Sequence, residues 1–242
     1  MGNRRARSSS PVGMLDRAPS GATKSRPRRR ALVALTLAGA GCCLWYRRAT
    51  APFPYAMRRM LDAELPYLSR SRLCAALAPR PGERILEIGP GTGLFSVPVA
   101  ERLAPSGTLE ILDVQQEMLD HTLQAAARAE LHNVVAHRGD ARRLPHPDEA
   151  FDAAFLVTVL GETGDQDTVL SELRRVLKPG GRLVIGEFLF DWHAVPLSVL
   201  RRRARRRGLA FERRLGTAFS YLAVFRSEEA WRPIPEKLAA AG

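Results

Sequence analysis

Cysteine is scarce in this chain. Cys42, Cys43 and Cys74 are the only three in 242 residues, with no Cys-x-x-Cys and no Cys/His group at metal-ligand spacing. That excludes a disulfide framework, leaves no legible metal site, and points to a reducing compartment, so a cytoplasmic location is expected. A full-length membrane span is also missing. The longest apolar run, residues 31–46 (ALVALTLAGAGCCLWY), reaches about 24 Å as a helix, against a hydrocarbon core of about 30 Å. Acids are nearly absent from the first fifty residues, where Asp16 stands against eleven Lys/Arg. Internal repeats are absent too.

These shortages divide the chain. Residues 1–30 are rich in Arg, Ser, Gly and Pro and cannot bury enough surface to offset their chain entropy, so they read as a disordered basic extension. Residues 31–50 form a hydrophobic segment flanked by Arg28–Arg30 and Arg47–Arg48, with Trp45 and Tyr46 at the interfacial position. Three readings stay open: a marginal membrane anchor that brings residues 1–50 to a membrane surface, a targeting peptide, or an unselected extension upstream of a later start such as Met57. The charge bias would place the rest of the chain outside the membrane, which argues against a simple span. Residues 51–226 are the folded domain and 227–242 a tail.

The net charge of +12 lies almost wholly in the extension, because residues 51–242 hold 26 basic and 24 acidic side chains. A near-neutral domain offers no phosphate-tracking surface, so no nucleic-acid partner is expected. The run Arg201–Arg207 sits on a helix whose apolar stripe is Leu197, Leu200 and Ala204. Its arginines read first as a solvated outer face and second as a contact for anionic lipid headgroups.

From Ala51 onward, short apolar runs alternate with helical periodicity. Strands are expected at 84–88, 108–113, 134–137, 153–157, 182–188, 210–213 and 221–225, and helices near 94–103, 116–129, 166–177 and 196–207. Lys178-Pro-Gly-Gly181 reads as a helix stop followed by a strand start. The pattern is that of an α/β, doubly wound, mostly parallel seven-stranded sheet with an antiparallel last strand and helices on both faces.

Arg84–Ile88 runs straight into Gly89-Pro-Gly-Thr-Gly93 and then a helix. Glycines there allow a tight turn and close approach of a ligand to the main chain, and the helix start offers free N–H groups. A ligand-free strand-to-helix turn would use the same residues. Asp113 closes the second strand about 20 residues later, where a carboxylate can accept from both ribose hydroxyls of a nucleoside. It would serve equally as a helix cap. Asp140, in Gly139-Asp-Ala141 after the third strand, is placed to accept from an adenine amine or to sit in an exposed turn.

Together these segments resemble class I, Rossmann-like S-adenosylmethionine-dependent methyltransferases. Ile85–Gly93 is similar to their first signature, Leu112–Leu119 to their second-strand segment, Gly139–Pro145 with Phe151-Asp152 to their adenine-side segment, and Leu173–Leu183 to their helix-to-fifth-strand passage. The nearest subgroup resembles the small-molecule type that includes ubiquinone/menaquinone-pathway C-methyltransferases. The resemblance implies S-adenosyl-L-methionine as cofactor and a small-molecule or lipid-like acceptor. It places Glu87, Gly89, Gly91 and Gly93 at the methionine end, Asp113 at ribose, Val114 against adenine, and Asp140 and Ala141 at the adenine edge. Val157 and Thr158 fall near the transferred methyl.

A base is required only where the acceptor must lose a proton, and Glu162 and His193, with Tyr221 third, are the candidates. An Asn-Pro-Pro-Tyr-type motif is missing, as is the cysteine set of arsenite-methylating relatives, so neither substrate class is expected. A non-catalytic cofactor-binding protein, an RNA methyltransferase and a nicotinamide-dependent oxidoreductase stay as alternatives. The last lacks a strict Gly-x-Gly-x-x-Gly and a Tyr-x-x-x-Lys pair. Residues 52–72, with Phe53, Tyr55, Met57, Met60 and Tyr67, read as a cap over the substrate pocket or as a packing helix.

Overall fold

Apolar on both faces, the expected strands need cover from two layers, and the structure supplies it. The computed structural model describes residues 52–228 apart from 63, 66, 190 and 192. The basic extension, the hydrophobic segment and nearly all of the tail lie outside the described residues. Strands β1 (Arg84–Ile88), β2 (Thr108–Asp113), β3 (Val134–Arg138), β4 (Phe151–Val157), β5 (Leu177–Phe188), β6 (Leu209–Gly216) and β7 (Ser220–Ser227) form one sheet in the order β3-β2-β1-β4-β5-β7-β6. The β1–β5 pairings are parallel, and β7 runs antiparallel to both β5 and β6. The expected doubly wound sheet with an antiparallel last strand is therefore the observed one.

Helices α1 (Arg70–Leu77), α2 (Ser96–Leu103) and α3 (Gln116–Arg128) cover one face, where Leu73, Leu77, Val99, Leu103 and Leu119 meet Ile85, Ile111 and Phe155. Helices α4 (Gln166–Val176) and α5 (Leu197–Arg205) cover the other, packing Leu170, Leu173 and Leu200 on Leu86, Leu156 and Ile185. Burial of these side chains is worth about 1.5–3 kcal/mol each before chain entropy is subtracted, so the two layers supply the main folding drive. The strand order reverses between β1 and β4, which opens a crevice beyond their carboxyl ends.

One boundary differs from expectation. Strand β5 begins at Leu177, not Arg182, and runs through the glycine pair as a bulge: Phe151 pairs with Leu177, then Ala153 with Arg182. Gly180 has φ +72°, and a Cβ on Gly181 would meet the Lys178 carbonyl at 2.8 Å, so the backbone there needs residues without side chains. On α5 the expected stripe is present, with Leu200 and Ala204 fully buried. Three of the arginines in and just after this helix are tied to neighbours: Arg203 and Arg207 pair with Asp167, and Arg201 lies over the Phe211 ring. Among the described residues no helix is long and apolar enough to cross a membrane.

Candidate functional site

The site begins where β1 stops. Gly89, Gly91 and Gly93 all adopt positive φ, at +67°, +57° and +85°. A Cβ on Gly89 would lie 2.5 Å from Val159 Cγ2, so this position admits only glycine on both conformational and steric grounds. Thr122 of α3 fixes the loop by donating its hydroxyl to the Gly91 carbonyl at 3.1 Å. Just before the loop, Glu87 is buried and accepts from Ser96 Oγ at 2.5 Å. Burial pushes its carboxyl up to about 8, the Ser96 hydroxyl pulls against that, and Asp113 adds a further upward push.

Asp113 ends β2 beside this loop. Gly89 N donates to the Leu112 carbonyl and Gly139 N to the Asp113 carbonyl, so three strand ends are stitched together at one edge. Asp113 Oδ1 accepts from Gln115 N at 2.9 Å, which secures the approach to α3, and burial raises its pKa. Asp113 is not the cap of α3, whose N-cap is Gln115 without a side-chain cap bond; it braces the turn into that helix and stands at the crevice. Val114, the residue assigned to adenine, is exposed. Ala141 is buried in the core, while Asp140 is half-exposed and engaged by Arg142 through the backbone N–H and the guanidinium. Arg142 holds the Asp140 carboxyl below its ordinary range.

The opposite wall comes from the ends of β4 and β5. Val157 closes β4, and Thr158 follows at φ +57° with its N–H bonded to the Gly186 carbonyl. A short 3-10 helix, Leu160–Thr163, then presents Glu162. Gly161 lies so close to His193 that a Cβ would come within 1.7 Å of the His193 carbonyl oxygen, so the main chains that carry the two base candidates are packed together. Burial pushes Glu162 up to about 8, with Asp191 and Asp113 adding to it and the Phe53 N–H, 3.1 Å away, opposing. The Phe53 carbonyl in turn accepts from Gln115 Nε2 at 2.9 Å. The 3-10 helix Tyr55–Asp62 comes next in the chain, with Leu61 Cδ1 3.2 Å from where a Gly91 Cβ would stand. The segment read as a cap does reach the glycine loop.

Sequence reading passed over Glu187, which ends the buried stretch Leu-Val-Ile-Gly-Glu of β5. Its carboxyl is 1% exposed, accepts from Val195 N, and has one oxygen without a hydrogen-bond partner among the described residues. Burial pushes it up to about 8, helped by Asp191 and Glu162. The signal was there, since an acid inside a buried strand is rarely idle. Tyr221, the third base candidate, is fully buried and donates to the Val195 carbonyl; burial drives its pKa well above the ordinary phenol range, which suits a structural donor rather than a base.

The arrangement is a crevice whose carboxylates push one another upward. Glu87 and Glu162 both feel Asp113, while Glu162 and Glu187 both feel Asp191. None of Glu87, Glu162 and Glu187 forms an ion pair among the described residues. Such a site suits a ligand that brings its own positive charge. An S-adenosylmethionine molecule, with a sulfonium and an ammonium, fits that demand. The Gly89 cradle and the unpartnered Glu187 oxygen fit it as well.

Residues 85–181 match the model of a methyltransferase domain. Demethylmenaquinone methyltransferases are similar over half the chain. That of Listeria monocytogenes is 33% identical over 127 residues, which cover 52% of this chain and 54% of the relative. That of Deinococcus radiodurans is 40% identical over 119 residues, covering 49% and 48%. An uncharacterized 37.1 kDa protein in a Streptomyces fradiae transposon is 40% identical over 129 residues, 53% of this chain and 36% of that protein. The chain thus spans about half or less of these relatives' lengths. Among solved structures, an S-adenosylmethionine-dependent methyltransferase from Aquifex aeolicus superposes with a TM-score of 0.66 at 19% identity, over 72% of this chain and 98% of its own. The [4+2]-cyclase SpnF superposes with a TM-score of 0.59 at 20% identity, over 66% and 79%.

Proposed function

We propose that this chain, whose residues 85–181 match the model of a methyltransferase domain, is a class I S-adenosylmethionine-dependent methyltransferase that moves a methyl group to a small, lipid-like acceptor. The observation behind this reading is the set of buried, unpaired carboxylates around the glycine loop. The pyrophosphate of a dinucleotide gains nothing from carboxyls that are raised by burial and ionise beside a cation. A sulfonium would be drawn in.

The cofactor supplies an activated methyl with a neutral thioether as leaving group, so the protein's work is alignment and exclusion of water. Glu87, through Ser96 and the glycine loop, holds the methionine end, and Asp113 takes the ribose hydroxyls. Phe53 straps the crevice by bonding Glu162 on one wall and Gln115 on the other, with the turn at Thr158 at the end of β4. Where the acceptor is a phenol or an enol, its carbon or oxygen forms the new bond to the methyl while its proton passes to the Glu162 carboxylate. A carboxylate with a pKa of about 8 is well matched to that transfer near neutral pH. His193, beside Gly161, is the second candidate for this role. Demethylated quinols are the first acceptors to try, because similar proteins are named for that activity and the acid-lined pocket tolerates a neutral ring.

The test uses the full chain, radiolabelled methyl donor, and a panel of demethylated quinols, simple phenols and fatty acyl chains. Label transfer to any of them, reduced by Glu162→Gln with unchanged cofactor affinity, supports the proposal. Cofactor binding without transfer to the whole panel would favour a non-catalytic cofactor-binding protein.

A further inference from the structure

We propose that Glu110, His137 and His146 form a binding site for one divalent transition-metal ion, with zinc the best match, set apart from the crevice and independent of methyl transfer. Glu110 lies in the middle of β2 and His137 near the end of β3. His146 lies in the loop between β3 and β4. Their separation in sequence matches no metal-binding spacing, and only the sheet register brings them together. In that register Val135 is opposite Glu110 and His137 opposite Leu112, so Glu110 and His137 project from the same face.

The three ligand atoms lie within 4.8 Å of one another. His137 Nε2 is 2.9 Å and His146 Nε2 3.1 Å from the same oxygen, Glu110 Oε2. Edges of a tetrahedral zinc site, with bonds of about 2.0–2.2 Å, run to roughly 3.3 Å, so the two Glu110–histidine edges need open by only a few tenths of an ångström, while the two histidine nitrogens, within 4.8 Å, close toward the same length. The His137 contact has no hydrogen-bond geometry, and that nitrogen is buried without a partner among the described residues. His146 Nε2 is hydrogen-bonded to Glu110 Oε2, and the unaligned His137 Nε2 is left as a lone pair or proton aimed at the same oxygen, the position an ion shared by all three would take up.

The surroundings hold this set in place. His146 packs edge-on against both His137 and Phe151, at ring separations of 4.9 Å and 5.0 Å. Arg84 donates to the other oxygen, Glu110 Oε1, which turns the carboxylate so that Oε2 faces the histidines. Such outer partners orient metal ligands. The Arg84 charge also offsets that of Glu110, so affinity falls below that of an all-anionic site. Glu110 and His146 are buried, while the His137 side chain is 33% exposed and gives the entry path. Two histidines and one carboxylate leave a fourth position for water. The ion would tie β2 to β3 and to the loop that carries Asp140.

The experiment strips the full-length protein with a chelator and titrates zinc, then cobalt, following heat of binding, visible absorption of the cobalt form and thermal melting. One ion per chain is expected, with a tetrahedral cobalt spectrum and a rise in melting temperature. His137→Ala and, separately, His137→Gln should weaken binding by about a hundredfold and abolish the melting shift. His121→Ala and His132→Ala should change nothing. Because His137 is partly exposed, its variants are expected to fold, and retained binding of S-adenosylhomocysteine checks that. Absence of binding at micromolar metal, or binding unchanged by both His137 variants, for instance through Cys42 and Cys43, would overturn the proposal.

Discussion

Two groups of carboxylates in this domain live under opposite conditions. Away from the crevice, acids are matched with bases. Asp152 takes the Lys178 ammonium and the Arg84 N–H, Glu172 pairs with Arg175, and Glu110 pairs with Arg84; all three have pKa values below their ordinary range. At the carboxyl ends, Glu87 and Glu187 are buried and Glu162 half-buried; all three lack an ion pair among the described residues and are pushed up to about 8. The first group contributes to holding the fold. The second is tolerated because at neutral pH its members are largely protonated, and each can ionise when a cation arrives. Asp140 marks the boundary, an acid at the crevice rim already paired with Arg142. That suits a position facing an uncharged base better than one facing a sulfonium.

The sharpest break in this contrast comes from removing the proposed proton acceptor. Glu162→Gln should lower turnover by about a hundredfold or more while leaving cofactor affinity within a few-fold, as steady-state rates and calorimetry would show. Turnover equal to wild type would remove Glu162 from the reaction. Next in size, Gly89→Ala forces a side chain into positive φ and into Val159. It should weaken S-adenosylhomocysteine by up to about a hundredfold, from some 1–3 kcal/mol of strain. Asp113→Ala removes hydrogen bonds to a charged acceptor and should cost about tenfold or more in the same titration.

Stability of the ligand-free protein should depend on pH in the direction set by the raised carboxyls. Their folded pKa lies above the unfolded one, so the folded state holds the extra protons, and stability falls as pH rises from about 4.5 to about 8. Glu187→Gln, which mimics the protonated form, should flatten that decline in melting curves collected across the range; an unchanged slope would remove Glu187 from the group. The smallest effect belongs to the paired set. Asp152→Asn should cost no more than about 1 kcal/mol, because its partners are part-exposed, and should leave cofactor binding untouched.

Much of the architecture was legible because the chemistry was local. Apolar runs ending in glycine or aspartate marked β1 and β2, and the helical stripe of α5 marked its buried face. What escaped depended on register. The bulge carrying β5 back to Leu177 required knowing that Phe151 lies opposite, and the clustering of Glu110, His137 and His146 required two strands and a loop to be aligned. The glycine loop, Glu87 and Asp113 were visible as candidate site residues. Glu187 was passed over although an acid in an apolar strand is a signal in itself; its neighbours Asp191 and Glu162 come from separate loops, and that grouping is not visible in the sequence.

The central claim is that the crevice is built for a cation. The most direct measurement compares S-adenosylmethionine with S-adenosylhomocysteine, which differ in the sulfonium charge, by calorimetry in buffers of different ionisation enthalpy between pH 6 and about 9. Both ligands carry the ammonium, so the account predicts that the sulfonium form releases more protons on binding near pH 7 and gains more affinity as pH rises through about 8 than the thioether does. Identical proton release and pH dependence for the two ligands, or binding of NADH in place of both, would contradict it.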